Sequence, residues 1–126
     1  MPKTIQELLH QRAPILYDGA TGTLLQQLGM PVSQVPESLV LENPALVMTA
    51  AEAYVNAGSQ IILTCTFGGT AVRLLEAGLD AQAFEINVRA VQIAKHAAGD
   101  RAFVAGSMGP LGKLPLTFGQ LTFQDA

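Results

Sequence analysis

The sequence predicts an α/β fold built from repeated strand–helix units around a parallel sheet. Three observations carry that prediction. Apolar runs that read as strands begin near residues 15, 61 and 103. Segments with apolar residues at helical spacing lie between them. Each run ends in a polar, glycine-rich turn. Strands alternating with helices argue for parallel strands joined by right-handed crossovers. A doubly wound open sheet and a (β/α)8 barrel both satisfy the pattern.

Composition narrows the classes. Of 126 residues, 49% are apolar and 13% charged, which is too much core-forming surface for a disordered chain. Seven Lys and Arg against ten Asp and Glu leave a net charge of −3, without the basic stripe of a nucleic-acid binder. A single Cys excludes an internal disulfide, and with it a secreted, disulfide-stapled scaffold. No apolar run approaches the roughly 20 residues that span a bilayer. Met1-Pro2-Lys3-Thr4 leads into a polar helix rather than the apolar core of a signal peptide. The expectation is a soluble, cytoplasmic chain with neither nucleic-acid nor membrane partners. As one domain it would bury roughly two-thirds of its unfolded surface.

Each element follows from local chemistry. Thr4-Ile5-Gln6-Glu7 is a capping-box pattern, in which the Thr hydroxyl serves the Glu amide and the Glu carboxylate reaches back. The helix is expected to run to about Gln11 and to stop before Pro14, which disfavours helix in the preceding residue. Ile15-Leu16-Tyr17 reads as the first strand and residues 18–23 as a turn. Leu24 to Leu28 makes a helical turn or two, closed by Gly29. Met30 to Glu42 has two prolines and no clear periodicity, and reads as a surface loop. Asn43-Pro44 combines an N-cap residue with proline at the first helical position. Leu46, Val47, Ala50, Ala51, Tyr54 and Val55 then recur at helical spacing up to Gly58. Ile61-Ile62-Leu63-Thr64 is apolar on consecutive residues and is expected to be buried on both faces. Thr70 to Ala77 is a short helix ended by Gly78. Asp80 is expected to cap a longer helix from Ala81 to about Ala98. There Phe84, Val88, Val91 and Ala94 or Lys95 alternate between a buried stripe and a wet face. Phe103-Val104-Ala105 is the third strand and Gly106 to Pro110 the third turn. Leu111 to Ala126 reads as loop, in which Thr122-Phe123-Gln124-Asp125 can begin another helix.

In both architectures ligands gather at the carboxyl ends of the strands, so all three turns are expected on one rim. Glycine lets backbone amides approach an anion closely. Asp18 directly follows an apolar run, where a carboxylate is costly unless paired. Either it accepts from a ligand ammonium, or it caps the following turn as Asp before Gly commonly does. Gly19 to Thr23 holds an anion or simply turns the chain; it is neither a Walker A loop nor Gly-x-Gly-x-x-Gly. Cys65 reads as a nucleophile or metal ligand, or as a small packed apolar residue. Zinc takes three or four protein ligands. Cys65, His10 and His96 are the soft or borderline candidates, and both His fall on helices away from the rim, so no metal site is expected. Ser107 offers a hydroxyl without the Gly-x-Ser-x-Gly setting of a hydrolase. Asp80, Glu85 and Asp100 read as caps and surface charges.

Three segments in register resemble the homocysteine S-methyltransferase family. That family includes the homocysteine-binding domain of cobalamin-dependent methionine synthase and betaine–homocysteine methyltransferase. The segments are Ile15-Leu-Tyr-Asp-Gly-Ala-Thr-Gly-Thr23, Tyr54-Val-Asn-Ala-Gly-Ser-Gln-Ile-Ile-Leu-Thr-Cys-Thr-Phe-Gly68 and Val104-Ala-Gly-Ser-Met-Gly-Pro110. The likeness runs over about residues 12 to 112. It implies the first three βα units of a (β/α)8 TIM barrel, incomplete in this chain. It implies a methyltransferase that passes a methyl group to the zinc-activated thiolate of homocysteine, giving methionine. It further implies that Asp18 accepts from the substrate ammonium. By the same resemblance, amides around Gly19, Ala20 and Thr23 hold the substrate carboxylate, and Thr64, Cys65 and Ser107 line the same mouth.

Two departures stand out. Cys65 occupies a position where the family usually has Asn, which removes an amide from the rim. The zinc cysteines of such barrels follow later strands, and a barrel takes about 250 residues against 126 here. The expectation is that residues 1–126 form the N-terminal portion of the barrel. They would carry part of the substrate site, no catalytic residue and no metal ligand, and be inactive alone. Its open strand edges invite self-association or pairing with the remainder of a barrel. Zinc is expected in the full-length parent. Methyl-cobalamin with folate, betaine and S-methylmethionine all stay open as methyl donors. The rival readings are a methyltransferase acting on another thiol or a selenol, a non-catalytic assembly module, and a phosphate binder using Gly19 to Thr23.

Overall fold

The computed structural model describes residues 2–112 and 122–124. Of the expected loop after Leu111, residues 113–121 and 125–126 lie outside them; where Thr122 to Asp125 could begin a helix, Phe123 and Gln124 form a turn. The elements are helices α1 (Ile5–Leu9), α2 (Thr21–Gln27), α3 (Leu39–Glu42), α4 (Pro44–Asn56), α5 (Ala71–Leu74) and α6 (Ala83–Ala98), with strands β1 (Ile61–Leu63) and β2 (Phe103–Ala105). Short 3-10 turns occupy Pro36–Ser38, Leu75–Ala77 and Asp80–Gln82. Among the described residues no helix is long and apolar enough to cross a membrane.

Strands β1 and β2 pair in parallel, with Ile61, Ile62 and Leu63 opposite Phe103, Val104 and Ala105. The segment before Asp18 lies on the other side of β1. It forms a single parallel bridge, Tyr17 to Ile61, in place of the expected strand. The Leu16 carbonyl accepts from the amides of Gln60 (2.8 Å) and Ile61 (3.2 Å), and the Asp18 amide donates to the Ile61 carbonyl at 3.1 Å. All three extended segments therefore point the same way, and their carboxyl ends lie side by side.

Caps form where the residue types require them. Thr4 Oγ1 accepts from the Glu7 amide at 3.2 Å, but the Glu7 carboxylate accepts from the Lys3 amide, one residue earlier than a capping box needs. Asn43 Oδ1 accepts from the Leu46 amide at 3.3 Å, with Pro44 opening α4. Asp80 caps nothing: it sits in a 3-10 turn, and α6 starts at Ala83. Gly58, with φ 104°, takes a left-handed turn after α4 that a side chain would resist.

Two expectations give way and one holds. Residues 36–42 are helical, because Pro36 sets the first position and Leu39 and Val40 find partners in the core. Strand β1 is covered on both faces at Ile61 and Ile62, which point to opposite sides, and opens only at its carboxyl end, where Leu63 is 38% exposed. Helix α6 buries Ile86, Ala90, Ile93, Ala94, Ala97 and Ala98, while Phe84, Val88 and Val91 are exposed. It packs on α4, and the buried alanines let the two helices and β2 approach closely.

Ile86 is fully buried and Phe84 is 84% exposed. Ile86→Ala should therefore cost about 2–5 kcal/mol in urea unfolding, and Phe84→Ala less than about 0.5 kcal/mol.

Candidate substrate-binding site

The three glycine turns meet at the carboxyl ends of the parallel segments. A cavity of about 370 Å³ opens there, lined by Gly19, Thr21, Gly22, Leu63, Thr64, Cys65, Phe67, Gly68 and Ser107, with Val35, Pro36, Glu37 and Arg73 on its far wall. Gly19, Thr64, Cys65 and Ser107 are thus brought together as the sequence suggested. Ala20 and Thr23 lie outside the lining. The Ala20 carbonyl accepts from Tyr54 Oη at 3.0 Å and from Thr23 Oγ1 at 3.3 Å, which fastens the first turn to α4. Gly19 is packed against the Tyr54 ring, where an added Cβ would fall 3.0 Å from Cε1 and from the hydroxyl oxygen.

Asp18 also stands off the large cavity. Its Oδ2 accepts from the Leu63 amide at 2.9 Å, tying the first turn to the end of β1. Its Oδ1 is buried and has no partner among the described residues. Beside it is a space of about 20 Å³ between β1 and the helices α4 and α6, walled by Asp18, Thr21, Tyr54, Leu63 and Cys65 and otherwise by the apolar Val47, Ala50, Ala51, Ala90, Ile93 and Ala94. Thr21, Leu63 and Cys65 border both spaces. Burial raises the Asp18 pKa above the usual value, against the lowering effect of the hydrogen bond from Leu63.

The second and third turns are locked together by hydroxyls. Thr66 Oγ1 donates to the Ser107 carbonyl at 2.8 Å, so its own oxygen accepts from Thr64 Oγ1 at 2.7 Å. Thr64 Oγ1 in turn accepts from the Ser107 amide at 3.1 Å. Below them the Gly109 amide donates to the Phe67 carbonyl at 3.0 Å. Only glycine permits this approach, since a Cβ at Gly109 would collide with the Phe67 carbonyl oxygen.

Cys65 is the single free thiol, and burial together with the nearby Glu37 carboxylate pushes its pKa up to about 12. It is a protonated, packed side chain rather than a nucleophile. Both His stay off the rim; His10 is exposed and its Nδ1 lies 2.6 Å from the Gln6 carbonyl. Among the described residues no group of three or more His, Cys, Asp or Glu is placed to hold a metal ion. The zinc implied by the resemblance therefore finds no ligand set among the described residues.

Glu37 and Arg73 were not found by sequence reasoning. Glu37 is buried, and its Oε1 accepts from the Gly68 amide at 2.7 Å. It lies in the stretch read as loop, and the pairing spans 31 residues, so no local pattern signals it. Arg73 follows Thr70, whose hydroxyl accepts from the Arg73 amide at 3.2 Å.

Two outcomes follow from this geometry. With a pKa of about 12, Cys65 should react with iodoacetamide at pH 8 on the order of a thousandfold more slowly than a free thiol, and Glu37→Gln should speed the reaction. Gly109→Ala should lower stability by about 1–3 kcal/mol in denaturant unfolding, because the turns must separate to admit the methyl group.

Comparison with known proteins bears on the same region. The model of the family described as homocysteine S-methyltransferase matches residues 15–126. Two solved structures, the metallated and oxidized forms of the homocysteine methyltransferase MmuM from Escherichia coli, are similar to this chain. Both are 28% identical, with TM-scores of 0.72 and 0.74 respectively. In each case 86% of this chain is covered but 41% of the neighbour, so the chain spans less than half the length of those enzymes. With its matched motifs gathered around one cavity, the chain belongs to the homocysteine S-methyltransferase family.

Proposed function

We infer that residues 1–126 form the N-terminal portion of a (β/α)8 methyltransferase barrel and supply its homocysteine-binding face. The observation that carries this reading is the unpaired, buried Asp18 Oδ1, which adjoins a small space reaching from the first two turns towards α4 and α6. A space of about 20 Å³ admits one water-sized group, and an ammonium is of that size. A ligand ammonium would supply the missing donor and favour the ionised carboxylate, offsetting its desolvation. The shared walls at Thr21, Leu63 and Cys65 then lead the rest of the amino acid into the larger cavity. There Gly19 and Gly22 present main chain unobstructed by side chains.

In the complete protein the sulfur of homocysteine would take the methyl group, giving methionine. Zinc activation of that thiol is part of the proposal for the complete protein. None of the described residues is assigned a step in it. Cytoplasmic location and partnership with the remainder of a barrel are proposed on the same family grounds.

Asp18→Asn tests the role directly. The Asn carbonyl keeps an acceptor for the Leu63 amide but removes the charge. Homocysteine affinity, measured by calorimetry on the complete protein, should fall about 10- to 100-fold; unchanged affinity would remove Asp18 from the site. Stability should move the other way. As pH rises past the ordinary Asp value of 3.8, the unfolded chain loses its proton first, so native Asp18 costs stability up to and beyond its raised folded pKa. Thermal melts should show Asp18→Asn at least as stable as the parent at pH 7, with the gap closing below pH 3.8.

A further inference from the structure

The turn that follows β1 is held from two elements distant in sequence. Residues 66–69 close on the Gly69 amide, which donates to the Thr66 carbonyl at 2.9 Å. Phe67 and Gly68 form the tip and line the 370 Å³ cavity. Phe67 is 56% exposed, so burial of its ring does not anchor the tip. Hydrogen bonds do. The Gly68 amide donates to Glu37 Oε1, and from the side of α6 Asn87 Nδ2 donates to the Gly69 carbonyl at 2.8 Å. The same Nδ2 also donates to the Ala83 carbonyl at 2.8 Å, one turn back on α6. An oxygen in that place would face two carbonyl oxygens, so the surroundings fix which way the Asn87 amide points. Gly69 is buried, and a Cβ there would fall 3.0 Å from the Thr66 carbonyl oxygen and 3.2 Å from the Asn87 amide. Glycine gives the close approach and Asn87 supplies the donor.

Asn87 is half-buried and does not line the cavity. We propose that Asn87 is a positioning residue: it holds the Thr66–Gly69 turn on α6, so that Phe67 and Gly68 wall the cavity in one fixed place before substrate enters. Without that donor the Gly69 carbonyl loses its partner inside the protein, and the turn must shift to reach water. Binding then has to order the turn, which weakens it. The role rests on the reading of this cavity as the homocysteine site; the hold on the turn rests on Asn87 and Gly69 alone.

Two measurements on the complete protein test the role. Hydrogen exchange read by mass spectrometry reports on the turn, and calorimetric titration reports on homocysteine. Asn87→Ala should speed exchange over residues 66–70 about tenfold and leave β1 within about twofold. It should weaken homocysteine about tenfold, the scale of one hydrogen bond. Asn87→Asp, matched in size but without a donor at pH 7, should do the same, and it serves where the alanine variant does not fold. Ile86→Ala is the control for loss of stability alone. It empties the core beside Asn87, and at a temperature where it stays folded it should leave homocysteine affinity within about twofold of the parent. Faster exchange in the turn without loss of affinity, no change in either, or an Ile86→Ala variant that weakens homocysteine equally would each overturn the proposal. A parent that does not bind homocysteine, with turn exchange still responding to Asn87, removes the function proposed above and spares the hold on the turn. Homocysteine binding unmoved by both Asn87 variants does the reverse.

Discussion

Parallel alignment of three extended segments on main-chain hydrogen bonds is the constraint on which the site depends. The bonds from Gln60, Ile61 and Asp18 on one side of β1, and from Phe103 and Thr64 on the other, fix direction as well as spacing. Parallel strands cannot be joined by tight turns, so helical crossovers must carry the chain back. The return through α6 brings β2 alongside β1, and the loops at their carboxyl ends fall on one side. Asp18, Thr64 and Ser107 are far apart in sequence and neighbours in space for this reason.

The loops do not rely on the strands alone. Asp18 grips the Leu63 amide, Thr64 and Thr66 grip Ser107, Glu37 grips Gly68, and Tyr54 holds the Ala20 carbonyl. Each contact ties one turn to a neighbouring element, and most join a polar side chain to backbone. Buried polar groups need such partners, because their desolvation is otherwise uncompensated. The rim is therefore braced before any ligand arrives, with Asp18 Oδ1 left over as the unmet acceptor. Preorganised polar groups of this kind lower the ordering cost of binding.

Local rules read the cap at Thr4, the cap at Asn43 with Pro44, the stop at Gly58 and strand β2 correctly, because each depends on chemistry within a few residues. They misread α6. Phe84, Val88 and Val91 recur at helical spacing and so pass for the buried stripe, although Ile86 and Ile93 are the large apolar residues that are buried. The face that packs is richer in alanine, because closeness to α4 and β2 matters there more than side-chain volume. They also misread residues 36–42, where short helical pieces exist because Leu39 and Val40 are buried by elements distant in sequence.

From its residues alone this protein was determined as alternating strands and helices with three glycine turns, and the spacing of those turns carried the family. Pairing partners and distances across the cavity were decided only in three dimensions. Which face of α6 turns inward, that Asp18 keeps one oxygen unsatisfied, and that Glu37 and Arg73 line the same cavity without meeting all depend on contacts between residues tens of positions apart. Backbone propensity and side-chain period act over a turn or two of chain. Burial and electrostatics act over distance in space, and the chain must fold before those distances exist.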